Sequence, residues 1–229
     1  GICFRNSGAT VPQSSSSSHD TVVVIPAYQA EKTIGPLVKE VVAMGFPVVV
    51  VDDASSDSTA EIAKQSGARV LVRPFNGGKG TALRDGWAAI QGNGYRWVLT
   101  MDADGQHLPS EIPKLLAVRQ GETDLVVGNR MDNPRGMPVD RWFTNRIMSW
   151  ILSRLTGQDV PDTQCGFRLI SERVLRRVQL TSRRFEIESE LVVKAAWAGF
   201  KVLSVPVTSV YHRHISFIRP IRDTFRFFL

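Results

Sequence analysis

The stretch VVVVDDASSDST, Val48 to Thr59, runs four β-branched apolar residues straight into two carboxylates. An unbroken apolar run of that length suits a strand buried on both faces, the pattern of a parallel sheet covered by helices. Adjacent side chains on a strand point to opposite faces, so Asp52 and Asp53 cannot both meet one ligand atom. One is expected to face a ligand and the other to cap the next helix or face the core edge. A second run, Trp97 to Met101, ends the same way in Asp102-Ala103-Asp104. Carboxylates at the ends of buried strands are costly to desolvate, so two such ends point to chemistry rather than packing.

Outward from this stretch the chain alternates. Before it, Val22 to Ile25 reads as a short apolar strand stopped by Pro26. Ile34, Leu37, Val38, Val41 and Val42 then recur at helical spacing, with Pro36 tolerable in the first turn. After it, Ser58 and Glu61 stand at capping-box spacing and start a helix. Further strands are expected at Val70–Val72, Trp97–Met101 and Leu125–Val127, with helices through Ala82 to Ile90 and around residues 110–119. This rhythm predicts an α/β fold, a Rossmann-like, doubly wound and mostly parallel sheet in a single domain, with ligands beyond the carboxyl ends of its strands. Beyond Gly128 the rhythm breaks. Residues 129–140 read as a long loop, Trp142–Leu155 as a helix and Gly157–Gly166 as another loop. Helices around 171–178 and 186–198 and a strand at Val202–Val207 complete the domain.

The 229 residues suffice for one sizeable core, and a hydrophobic fraction of 43% with 22% charged residues suits a water-soluble fold. The net charge of +6 and the pI near 9.7 favour anionic partners. Two cysteines, Cys3 and Cys165, supply no disulfide framework and suit a reducing compartment. Residues 1–19, with the serine run Ser14–Ser18, are expected to be a flexible leader without signal-peptide layout.

Asp102 and Asp104, two residues apart at a strand end, match the habit of Mg²⁺ or Mn²⁺, which take one or two carboxylates plus substrate phosphates. The tripeptide alone would equally suit a turn with solvated acids, and His107 has no other histidine nearby in sequence with which to build a metal site. Asn76-Gly77-Gly78-Lys79-Gly80 lacks P-loop spacing; it is either a phosphate contact or a helix entrance in which glycines permit close packing.

IPAYQAEKTI, VVVVDDASSDST, NGGKGTAL and MDADGQH, in that order and spacing, resemble the family 2 glycosyltransferases of GT-A fold. VGNRM, RIMS and DTQCGFRLIS are similar to the polyprenyl-phosphate sugar transferases, the group that includes dolichol-phosphate mannosyltransferase. The resemblance spans roughly residues 20–210. It implies inverting, metal-dependent transfer of a hexose from a UDP- or GDP-sugar to a lipid acceptor, polyprenyl phosphate foremost. A hydroxyl of a lipid or glycan is the alternative acceptor. Pro26, Ala27, Tyr28, Val51 and Asp53 would surround the nucleoside, with Lys79 and Ala103 also lining the nucleotide-sugar. Asp102, Asp104 and Gln106 would hold Mg²⁺ or Mn²⁺. Asp104 and Arg130 would act at the diphosphate or sugar, and Arg146, Arg168 and Arg213 would receive the acceptor.

The chain departs from the family pattern in two places. Pro26-Ala27-Tyr28-Gln29-Ala30 lacks the usual acid, displaced here to Glu31. A Ser-Lys pair expected near the C-terminus is replaced by Ser216-Phe217, with positive charge at Arg213 between His212 and His214. A hydroxyl acceptor would need a base, and Asp162, Glu186, Glu188 and Glu190 are candidates, although Glu186–Glu190 could equally be the solvated start of a helix. Residues 211–229 form a basic tail ending IRPIRDTFRFFL. As a helix this tail gathers Ile218, Ile221, Phe225, Phe228 and Leu229 beside arginines, which suits a membrane interface or docking on the domain. The expectation is a cytoplasmic protein peripheral to a membrane, with no nucleic-acid partner. A nucleotidyltransferase would carry a glycine-rich loop where Pro26-Ala27-Tyr28 stands, and a basic RNA-binding module would interleave aromatics with basic residues on exposed strands.

Overall fold

A computed structural model describes residues 20–119, 121, 123–134 and 136–210. The expected leader and the basic tail, Arg213 included, lie outside the described residues. The elements run β1 (Thr21–Ala27), α1 (Ile34–Ala43), β2 (Val48–Asp52), α2 (Thr59–Gln65), β3 (Arg69–Val72), α3 (Lys79–Ile90) and β4 (Trp97–Thr100). After a 3₁₀ turn at Pro109–Glu111 come α4 (Ile112–Ala117), β5 (Thr123–Asn129), α5 (Val139–Thr156), β6 (Arg168–Ser171), α6 (Glu172–Arg177), α7 (Glu186–Trp197) and β7 (Lys201–Pro206). The strands form one sheet in the order β3-β2-β1-β4-β6-β5-β7.

The apolar runs are buried as their composition requires. Val22–Ile25, Val50 and Val51 have no exposed surface, and the sheet's other valines and leucines continue the same core. β1 pairs in parallel with β2 and β4, and β2 with β3. Pro26 does not stop β1: it lies inside the strand, opposite Val51. The β4 register ends at Val24, so Pro26 faces no β4 partner, and the missing N–H costs that side of the ladder nothing. The helix after β2 begins at Thr59 as expected, but not through a capping box. Asp57 accepts from the Thr59 N–H and hydroxyl, while Glu61 turns along the helix to Gln65.

β6 was not anticipated. Its four residues begin in Arg168 and end in Ser171, and so carry no apolar run long enough to stand out between a loop and a helix. It inserts antiparallel between β4 and β5, with Arg168 level with Thr100 and Val127. Because it runs backwards, its entrance lies at the carboxyl ends of its neighbours. The loop 157–167 is thereby delivered to the ligand end of the sheet. The Thr100 hydroxyl donates to the Gly166 carbonyl at 2.8 Å, and the Gly128 N–H to the Phe167 carbonyl at 2.9 Å.

α3 crosses one face of the sheet at its closest through Gly86. A Cβ there would stand 2.7 Å from a Val24 methyl and 2.9 Å from a Val51 methyl. Gly86→Ala is therefore expected to destabilise the fold by about 1–3 kcal/mol through overpacking, read as a lower midpoint in urea denaturation without a change in slope.

Candidate active site

Three strand ends converge: those of β1, β2 and β4. The turns after β1 and β2 are tied to each other, Gln29 N–H to the Ser55 hydroxyl at 3.0 Å and Ala30 N–H to the Thr59 hydroxyl at 2.8 Å. Both turns contain a non-glycine residue in the left-handed region, Gln29 at φ 53° and Ala54 at φ 60°. Such backbone is disfavoured for L-residues and persists where surrounding hydrogen bonds over-determine it, as at binding sites. Pro26 is half-buried, Ala27 buried and Tyr28 exposed at this rim. The Val51 side chain is wholly buried against α3, which leaves only its backbone for a nucleoside.

The two aspartates ending β2 are both buried, and each is engaged inside the protein. Asp53 is satisfied inside the protein: Arg73 pairs with Oδ1, and the N–H groups of Gly77 and Gly78 donate at 3.0 and 2.8 Å. It thus holds the Asn76–Gly80 turn, whose amides are spent on a carboxylate instead of a phosphate. The glycines also permit close packing. A Cβ on Gly78 or Gly80 would stand 2.6 Å from the carbonyl of Arg183 or Ser182, respectively. Asp52 accepts from the Ser55 N–H at 3.2 Å through Oδ2, whereas its Oδ1 is buried with no protein hydrogen-bond partner. A buried carboxylate oxygen left unpaired is costly.

The ordered turn sets Lys79 at the start of α3. Its ammonium pairs with Asp102 and with Glu188 of α7, the latter at 2.5 Å. Burial alone would raise the Asp102 carboxyl, but the Lys79 ammonium foremost, with further positive charge from Arg130, holds it well below the usual carboxylate range. Gly166 covers this carboxylate closely, since a Cβ there would stand 2.6 Å from both oxygens. His107 is buried. Burial pulls its imidazole below its ordinary value against the pull of Asp102 and Asp104. Its Nδ1 accepts from the Asp102 N–H at 3.2 Å, and its ring stacks on Phe167. Asp104 is exposed and accepts from the Gln106 N–H at 2.9 Å. The Ala103 carbonyl accepts from Thr33 at 2.6 Å.

Among the described residues no three or more His, Cys, Asp and Glu side chains gather as a cage. The groups expected to hold a metal, Asp102, Asp104 and Gln106, would supply oxygen donors only. Such a set fits Mg²⁺ or Mn²⁺, whose coordination shells are completed by water and phosphate, and does not fit a closed zinc site.

On the other side of Asp102, Arg130 at the end of β5 meets Asp162 in a buried fork. Its Nε and Nη2 donate at 2.7 and 2.9 Å, and its backbone N–H adds a third bond at 3.1 Å. Asn145 of α5 donates to the same carboxylate at 2.7 Å, and Ser149 meets Thr163 at 3.1 Å. Burial would raise Asp162, but Arg130 keeps it below its ordinary value. Arg168 is corrected from acceptor ligand to structural residue. It is buried, with its guanidinium donating to the carbonyls of Cys165, Thr163 and Glu188. Arg146 is exposed on α5, stacked over Trp142. The reading of residues 186–190 as a solvated helix start is also corrected, because Glu188 and Glu190 are buried. Glu190 accepts from the N–H groups of Thr181 and Ser182 and pairs with Lys194, contacts that bring its carboxyl down to about 2. No local pattern marks Glu188 as the partner of Lys79, because the two stand 109 positions apart.

Comparison with known proteins identifies the family. Residues 22–179 match the family model described as glycosyl transferase family 2. An undecaprenyl-phosphate mannosyltransferase of Micrococcus luteus is 32% identical over 82% of this chain and 83% of its own length. A UDP-N-acetylglucosamine–dolichyl-phosphate N-acetylglucosaminyltransferase of Methanococcus voltae is 30% identical over 82% of this chain and 85% of its own. Among solved structures, glucosyl-3-phosphoglycerate synthase from Mycobacterium tuberculosis, in complex with Mn²⁺, UDP-glucose and phosphoglyceric acid, superposes with a TM-score of 0.73. It covers 98% of this chain and 83% of that one at 19% identity, a likeness of GT-A fold. A sheet that ends in the Asp102 and Arg130 clusters and carries the family's motifs in register makes this chain a glycosyltransferase of family 2.

Proposed function

We propose that this chain catalyses inverting, divalent-metal-dependent transfer of a hexose from a nucleotide-diphosphate sugar to polyprenyl phosphate at a membrane surface. The observation that carries the reading is the placement of the Asp102–Lys79–Glu188 cluster beside the Arg130–Asp162 fork at one end of the sheet. The named acceptors of two relatives, undecaprenyl phosphate and dolichyl phosphate, support the acceptor class. Those relatives differ in sugar, which leaves the donor as a UDP- or GDP-hexose.

In this reading the nucleoside rests on the rim formed by Pro26, Ala27 and Tyr28. Asp52, whose Oδ1 lacks a partner, takes a nucleobase N–H, and Asp53 acts indirectly by holding the turn that presents Lys79. Asp102, Asp104 and Gln106 would hold Mg²⁺ or Mn²⁺, which when bound supplies charge neutralisation at the leaving diphosphate. Lys79 and Arg130, held in position by their carboxylate partners, would lie beside two anionic reactants that otherwise repel. Arg146 stands ready to receive the acceptor phosphate. A phosphate acceptor is anionic near neutral pH and needs no general base. Of the four carboxylates that could serve a hydroxyl acceptor, Asp162, Glu188 and Glu190 are committed to ion pairs, which favours the phosphate.

The test is a donor and acceptor screen that follows nucleotide release from UDP- and GDP-sugars, with and without polyprenyl phosphate and with Mg²⁺, Mn²⁺ or chelator. Release that ignores the lipid phosphate would overturn the acceptor assignment. Asp104→Ala is expected to lower kcat/KM by about 100-fold and to abolish the response to added Mn²⁺; unchanged turnover and metal response would remove the metal from the reaction. Asp52→Asn is expected to weaken nucleotide binding about tenfold in calorimetry, from loss of a charge-assisted hydrogen bond. The melting temperature should not fall, since no protein partner of Oδ1 is lost.

A further inference from the structure

Lys79 stands on a turn held from two sides. Asp53 takes the amides of Gly77 and Gly78 on one side. On the other, the loop of residues 179–185, between α6 and α7, lies against the first turn of α3. Its Arg183 carbonyl accepts from the Thr81 N–H at 3.2 Å, and its Leu180 carbonyl accepts from Arg84 at 3.1 Å. The fit leaves no slack: a Cβ on Gly80 would stand 2.6 Å from the Ser182 carbonyl oxygen and 2.9 Å from that of Arg184. A turn packed this closely moves when the loop moves.

Between Leu180 and Phe185 apolar burial does not hold the loop, since Thr181, Arg183 and Arg184 are exposed and Ser182 is half-buried. The anchor is Glu190, 6% exposed on the second turn of α7. Its carboxylate accepts from the Thr181 N–H and hydroxyl, both at 2.9 Å, and from the Ser182 N–H at 2.8 Å. Lys194, one turn along, pairs with the same carboxylate at 2.6 Å and donates to the Gln179 carbonyl at 2.8 Å. Bonds to an ionised acceptor are about twice as strong as neutral ones, and a buried carboxylate cannot release them without a replacement. α7 therefore reaches Lys79 twice: Glu188 grips its ammonium, and Glu190 grips the loop packed on its backbone.

We infer that Glu190 is a positioning residue of the transfer reaction. Through the bonds it accepts from Thr181 and Ser182, it sets the 179–185 loop against the Gly78–Gly80 backbone and so fixes Lys79 beside Asp102. It touches neither reactant. Reach matters as much as charge, because the bonds go to main-chain N–H groups at fixed positions. Glutamine has the reach and an amide oxygen to accept them; aspartate has the charge but falls one methylene short. The consequence for turnover rests on the proposed place of Lys79 beside the anionic reactants. The consequence for Lys79 itself does not.

Labelling of the full chain with acetic anhydride, read lysine by lysine by mass spectrometry, tests the placement of Lys79 without any substrate. In the parent the Lys79 side chain, 12% exposed and paired with two carboxylates, is expected to label far more slowly than the exposed Lys32 and Lys39. Glu190→Ala should raise the Lys79 rate about tenfold and leave Lys32 and Lys39 unchanged, whereas Glu190→Gln should label like the parent. Where circular dichroism shows that Glu190→Ala has not folded, Glu190→Asp takes its place with the same expectation. Nucleotide release from the sugar donor, run in parallel, should show kcat lowered about tenfold in Glu190→Ala. The donor KM should stay within about twofold, because the Pro26–Tyr28 rim and Asp52 belong to other strand ends, and Glu190→Gln should restore kcat. The inference is overturned if Lys79 in the folded alanine or aspartate variant labels as slowly as in the parent, or if glutamine fails to restore its protection. It is also overturned if a variant with Lys79 exposed turns over like the parent. A parent that releases no nucleotide from any donor would count against the transferase reading and leave the labelling result standing.

Discussion

The ammonium of Lys79 is the point on which the site depends. It joins the carboxylate at the end of β4 to Glu188 on α7, a helix more than eighty residues further along the chain. An unpaired charge at this depth would be strongly unfavourable, so three charges must be placed together or not at all. Lys79 is placed by the turn before it, and that turn by Asp53, which takes the amides of Gly77 and Gly78 and the guanidinium of Arg73. The acid that looked most like a ligand contact is a support for the residue behind it.

The second constraint is topological. Parallel strands put their carboxyl ends together, which gathers Asp52 and Asp102 without further design. Parallel strands alone would leave the residues from Asp162 to Phe167 uncommitted. β6 runs antiparallel between β4 and β5, and its reversal brings Asp162, Thr163 and Gly166 to the same end. Arg130 finds its carboxylate there, and Gly166 closes over Asp102 in a space that no side chain could share. The site is therefore made of two halves, one given by the parallel order and one by the inserted strand.

α5 connects that second half to the outside. Its inner polar residues, Asn145 and Ser149, satisfy buried partners in the Asp162 loop, and its outer residues are apolar and cationic. A helix with hydrogen-bonding obligations on one face cannot rotate to hide the other. Its exposed rings are thus a consequence of how the Arg130–Asp162 fork is held.

Local sequence determined a good deal. Continuous apolar runs fix buried strands because burial on both faces tolerates nothing else, and runs ending in Asp52-Asp53 and Asp102-Ala103-Asp104 point to the ligand end because carboxylates at buried strand ends are costly to desolvate. The doubly wound sheet, a long loop after β5 and the placement of most helices were legible from that alone, although the loop is shorter than expected because β5 includes Asn129 and α5 starts at Val139. Pairing was not. That Asp53 binds Gly77, that Arg168 reaches the Glu188 carbonyl, and that Lys79 belongs to Glu188 all depend on contacts between residues 20 to 109 positions apart. No periodicity records such contacts. A charge's role is set by which partner reaches it in a low-dielectric interior, and only the folded chain decides that.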